Sequence, residues 1–183
     1  DVHLNLVALN LIQGKLVDAE REMQQYAAIE EQRSDFGSAL YANGMLAFGY
    51  PVLRHDSAGA LRVLNAGLAR HSLEQITPWA RPYSMLIMAY AVAGQPAQAR
   101  RLLAEYESAR PDEVRKQWGA YLRGYVALAD RKPREAIALF RSALKRGWCN
   151  ACGYWELGLA FDQAGQPDSA LIANGPSFRP RVR

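Results

Sequence analysis

Cys149 and Cys152 stand in a C-x-x-C spacing and are the only cysteines of the 183-residue chain. A structural zinc site needs four ligands, usually a second such pair or two histidines. His3, His55 and His71 all lie far upstream of the pair, so no metal site is expected. A redox pair works best where it opens a helix, because the helix dipole lowers the thiol pKa. A helix is predicted to begin here, yet the βαβ setting of such motifs is missing. Three readings stay open: reduced thiols packed between helices, a local disulfide, or a metal or redox site. Elsewhere the chemistry is sparse. No serine, histidine and acid set is suggested by neighbouring residues, and no glycine-rich phosphate loop is present. Carboxylates such as Glu30-Glu31 and Asp112-Glu113 fall near predicted helix ends, where caps and solvated residues are expected. The chain reads as a non-enzyme with no cofactor.

Aromatic residues offer more. Trp118, Tyr121 and Tyr125 recur at i, i+3 and i+7, which is one stripe of a helix. Trp155, Leu159 and Asp162 follow i, i+4 and i+7 in the same way. Such stripes either pack between helices or line a surface for a partner.

The elements carrying these stripes are punctuated by a recurrent turn. It reads Gly94-Gln95-Pro96-Ala97-Gln98-Ala99 and Gly165-Gln166-Pro167-Asp168-Ser169-Ala170, with Arg131-Lys132-Pro133-Arg134-Glu135-Ala136 between them. Glycine closes one helix in the left-handed conformation, and proline opens the next at its first position. Ala136 and Ala170 are 34 residues apart, as are Gly124 and Gly158, the period of a helix–turn–helix repeat. Five units follow, centred on Ala19, Ala60, Ala99, Ala136 and Ala170, at spacings of 41, 39, 37 and 34. The helical pattern predicts a buried first helix from Leu4 to Ile12 and a second from Val17 to about Ile29. A third runs to about Phe48 or Tyr50, and a fourth is capped by Asp56 or Ser57. A polar loop over 70–77 precedes a fifth helix opened by Pro78 or Pro82. Helices follow over 96–109, 112–129, 133–146 and 151–164, and a short tenth stops at Asn174-Gly175-Pro176. No alternating strand pattern of useful length occurs.

The last two units resemble the tetratricopeptide repeat family. Leu157-Gly158, Ala160-Phe161, Gly165 and Ala170 match that family's small and large positions. Gly124, Ala136, Phe140 and Ala143-Leu144 match them one unit earlier. The third unit keeps Leu86, Tyr90, Gly94 and Ala99, and the first two keep little beyond the turn. An irregular helical bundle with similar turns is the competing architecture. The resemblance implies an all-α, right-handed superhelical array of antiparallel helix pairs over residues 1–173, regular only after residue 80. It implies a concave groove lined by the first helix of each pair. Carried across, the groove positions are Arg81, Ser84, Met88, Trp118, Tyr121, Tyr125, Trp155 and Leu159. The expected partner is a protein or peptide, and the lysines and asparagines of a carboxylate clamp are missing from these positions. The final unit is also similar to the C-terminal helical repeats of bacterial multidomain regulators. A sensor or regulatory segment is therefore the alternative function.

Charge and hydropathy bound the remaining classes. Arg179, Arg181 and Arg183 supply three of the four net positive charges, so the body is nearly neutral and nucleic acid is not an expected partner. No apolar run reaches the ~20 residues of a membrane span. Asp1-Val2-His3-Leu4 shows no basic start followed by an apolar block. The compartment stays open, with a cytoplasmic one slightly favoured. Residues 174–183 are expected to form an extended basic tail whose Phe178 and Val182 pack on an apolar surface, either of this molecule or of a second copy in a dimer.

Overall fold

In the computed structural model, residues 2–145 and 150–178 are described, those at 12, 113–117, 150–152 and 174–178 by their backbone alone. Among the described residues all regular structure is helical: α1 (Val2–Ile12), α2 (Leu16–Gln32), α3 (Phe36–Arg54), α4 (Ser57–Arg70), α5 (Tyr83–Val92), α6 (Pro96–Ala109), α7 (Asp112–Ala129), α8 (Pro133–Lys145), α9 (Asn150–Gln163) and α10 (Pro167–Phe178). A single 3-10 turn, Leu73–Gln75, precedes α5.

The turn within each pair has one backbone solution. Its first residue is left-handed in all five copies: Gly14 at φ 71°, His55 at 56°, Gly94 at 74°, Arg131 at 59° and Gly165 at 70°. Glycine adopts this region without steric cost, whereas His55 and Arg131 hold it at on the order of 1 kcal/mol. The next amide then reaches back to close the helix. Lys15 N–H donates to the Asn10 carbonyl at 2.8 Å, Lys132 to Ala127 at 2.9 Å and Gln166 to Phe161 at 2.9 Å. Proline occupies the first position of α6, α8 and α10, where its missing donor costs nothing. The sixth residue of each copy is the alanine. Ala19 is 4% exposed, Ala60, Ala99 and Ala136 0%, and Ala170 3%. Only a methyl-sized side chain leaves room for the close approach this burial implies.

The chain divides into two units, residues 1–94 and 95–183, and the division falls inside the third copy of the turn. In the first unit α2 packs on both α1 and α3, and α3 packs on α4 and α5. One of its apolar clusters joins Val7, Ala19, Met23, Ala27 and Ala42, with Leu4, Tyr26, Met45 and Leu46 against it. In the second unit each helix from α6 to α9 packs on its successor. Gly124 is required there: a Cβ at that position would lie 2.5 Å from Cε1 of the fully buried Phe140 ring.

Several expected boundaries move. The first helix is not buried as a whole: among its described side chains only Val7 is enclosed, while Val2, Leu6, Leu9 and Leu11 are exposed. Apolar density without a partner on the second side does not bury a helix. α3 continues through Pro51 to Arg54, and α10 continues through Gly175-Pro176 to Phe178, where an extended tail was expected from residue 174. In both helices the proline lies close to the C-terminal end. It therefore removes one late i→i−4 bond and leaves the body of the helix intact. The polar stretch before α5 is anchored by buried Leu73 and Ile76, and Pro82 stands at the residue just before α5 without a side-chain cap. The side chain of Phe178, and Val182 with the rest of 179–183, lie outside the described residues.

Candidate functional site

The expected groove positions fall in both units. Arg81, Ser84 and Met88 belong to the first, and all three are half-buried. Arg81 precedes α5 and is tied into the structure: its Nε donates to the Ile76 carbonyl at 2.9 Å and its Nη1 to the Tyr83 hydroxyl at 3.0 Å. That leaves Ser84 and Met88 one turn apart on α5 as the surface pair of this unit.

The second unit brings the remaining positions together differently from expectation. Trp118 on α7, with Trp155 and Leu159 on α9, keep part of their side chains in solvent. Tyr121 and Tyr125 do not, being 4% and 0% exposed. The i, i+3, i+7 stripe of α7 is thus a surface residue followed by two core residues. The reason is Phe140 on α8. Its ring centroid lies 5.9 Å from Tyr121 and 5.6 Å from Tyr125, both edge-on, and the two tyrosines meet each other edge-on at 5.3 Å. Trp118 sits at the rim of this aromatic stack, edge-on to Tyr121 at 6.4 Å.

Buried tyrosines need partners for their hydroxyls, and the partner here is Glu156. Tyr121 donates to its Oε1 at 2.5 Å and Tyr125 donates to the same atom at 2.8 Å. The two bonds join α7 to α9. Glu156 is 3% exposed, and its Oε2 has no hydrogen-bond partner. Burial pushes the carboxyl pKa above its ordinary value, although both tyrosine hydrogen bonds work in the opposite direction. Tyr125 is raised well above the usual phenol range, first by burial and then by the adjacent Glu156 charge. Glu156 was missed in the sequence, where a signal did exist. It is the one charged residue between Arg146 and Asp162, and a lone acid in an apolar helix must be paired or neutral.

A second carboxylate centre lies in the first unit. Oε1 of Glu31 on α2 is 3.0 Å from Arg70 Nη1 and 3.0 Å from His71 Nε2, at the end of α4. The His71 ring stacks on Phe36 with centroids 4.5 Å apart and planes 13° from parallel. Desolvation raises the Glu31 pKa, but the bonds from Arg70 and His71 outweigh it and hold the carboxyl below its ordinary value. Sequence reasoning placed Glu30-Glu31 near a helix end as solvated or capping residues. Glu31 instead clamps α2 to α4, a pairing across 39 and 40 residues that no local pattern encodes.

Cys149 and the Cys152 side chain lie outside the described residues. Among those that are described, no three histidine, cysteine or acidic side chains gather in a way that could hold a metal ion. No described helix is long and apolar enough to cross a membrane. Compared with protein-family models, with curated proteins and with solved structures, the chain matches none.

Proposed function

We propose that the chain is a protein-interaction module: a tetratricopeptide-like array of helix pairs that presents an aromatic face to a peptide or protein. The observation that carries this reading is the fivefold recurrence of one turn, with a left-handed first residue and a buried alanine at its sixth position. Pairs built on one turn geometry cannot each bury both faces alone, so stacking supplies the core and leaves the first helices to line a surface. On that surface the accessible anchors are Trp118, Trp155 and Leu159. Tyr121 meets the Trp118 ring edge-on from the core, and neither it nor Tyr125 is a contact residue.

Aromatic anchors with a rigid base are typical of binding hot spots, each worth ~2 kcal/mol or more when truncated. The test is affinity capture with the intact protein as bait, followed by titration of the captured partner against Trp118→Ala and Trp155→Ala. Each variant is expected to bind at least ~10-fold more weakly while its melting curve keeps its shape. Unchanged affinity in both variants would remove the α7 and α9 face as the interaction surface.

A further inference from the structure

We infer that the exposed side of α8, with the turn that opens it, is a docking surface for an acidic peptide segment of a partner protein. The nearly neutral charge of the body conceals an uneven distribution. Residues 131–145 hold five basic side chains and one acid, Glu135. The rest of the chain, apart from the three arginines of the tail, carries a net charge of −3. On α8 the cations Arg134, Arg141 and Lys145 recur at i, i+7 and i+11, which places them on one face of the helix. All three are exposed, as are Arg131 and Lys132 in the preceding turn. Ala136, Ile137, Phe140 and Ala143 hold the helix from its buried side.

Other cations of this unit are matched where these are not. Arg100 pairs with Asp130, Arg101 with Glu105 and Arg123 with Glu107. Among the described residues no acid forms an ion pair with the five around α8. Two of these cations also stand where the fold disfavours them. Arg131 occupies the left-handed position that Gly94 and Gly165 fill in the neighbouring turns. Arg134 lies in the first turn of α8, where the helix dipole opposes a cation and where α10 has Asp168. Local preference therefore does not account for them, whereas an anionic partner does. Arg141 is already posed, its guanidinium held over the Phe161 ring at 5.6 Å without losing its charge. The remainder of the face selects the class of anion. Between the cations it carries Ala138 and Ser142, so this stripe has no large apolar side chain to enter a bilayer and no ring to stack a nucleobase. Arg134 to Lys145 spans ~16 Å of helix, the reach of about five residues of extended peptide.

The experiment titrates the intact chain at low salt with a fluorescent hexaglutamate peptide, read by anisotropy. Hexathymidylate and phosphatidylserine vesicles are run beside it. R134E/K145E is expected to bind the peptide roughly tenfold more weakly, and R134Q/K145Q to fall in the same direction. R62E/R101E makes the same change in net charge at exposed cations of α4 and α6 and should shift affinity less than about twofold. Circular-dichroism melting checks that each variant is folded. Equal weakening in R134E/K145E and R62E/R101E, undiminished binding in both α8 variants, or no peptide binding at low salt overturns the proposal. Tighter α8-dependent binding of the oligonucleotide or the vesicles also overturns it, and makes the face a nucleic-acid or membrane surface. The residues are distinct from the α7 and α9 aromatic anchors, so failure here leaves that reading intact.

Discussion

Two carboxylates, one in each unit, carry out the same mechanical task in opposite electrostatic settings. Glu31 ties α2 to α4 and Glu156 ties α7 to α9, each through one oxygen that receives two partners. The partners of Glu31 include a guanidinium and an imidazole, and its pKa is lowered. The partners of Glu156 are neutral phenols, and its pKa is raised by burial. Hydrogen-bond count alone therefore does not decide ionisation. The charge of the donors and the access of water decide it. The Glu31 contact is a conventional clamp near the surface. The Glu156 contact lies in the core, shut away from solvent.

The largest expected effect comes from removing the buried ring on which Tyr121 and Tyr125, the two donors to Glu156, pack edge-on. Phe140→Ala should destabilise the protein by about 3–5 kcal/mol. If burial is the cause of the raised pKa, the same variant should move the Glu156 midpoint down toward its ordinary value. Denaturant unfolding and carboxyl NMR read the two effects, and a large stability loss with an unmoved midpoint would break the comparison.

A smaller change sharpens the sign of the Glu156 effect. A raised folded-state pKa means that the protonated form is preferred in the native state. Its contribution is therefore fully present below the unfolded pKa and is lost as pH rises through the folded pKa. E156Q lacks this titration. Relative to wild type it should gain about 1.4 kcal/mol for every unit separating the two pKa values, measured by unfolding at acidic and neutral pH. A wild-type to variant difference that stays flat across this window would show that Glu156 ionises as readily in the core as in water.

The smallest expected effect lies at Glu31, whose pair with Arg70 is largely exposed. E31Q should cost ~0.2–1 kcal/mol at neutral pH. Because the folded pKa is lowered, this contribution is present above the unfolded pKa and fades as pH falls through the folded value. The pH dependences of E31Q and E156Q, each taken relative to wild type, should thus slope in opposite directions. Parallel slopes would mean that the two centres do not differ as described.

The sequence by itself determined the helical class, the five turns and the alanine in each. Glycine or proline at fixed offsets encodes backbone conformation locally, and a methyl group at every crossing is a size constraint visible in the residue type. Even so, His55 and Arg131 took the left-handed position without being glycine, since the helix-closing bond specifies the conformation and glycine only makes it inexpensive. The ends of α3 and α10 were misplaced because a proline near a helix C-terminus loses one bond rather than the helix. The site was legible only in part. Helical spacing identified Trp118, Tyr121 and Tyr125 as one stripe, but which of them face solvent was set by Phe140 on another helix. Glu156 and Glu31 became centres only through partners 31 to 40 residues away. A carboxylate's burial and ionisation depend on what the fold places around it, and that is a property of tertiary packing that no local spacing carries.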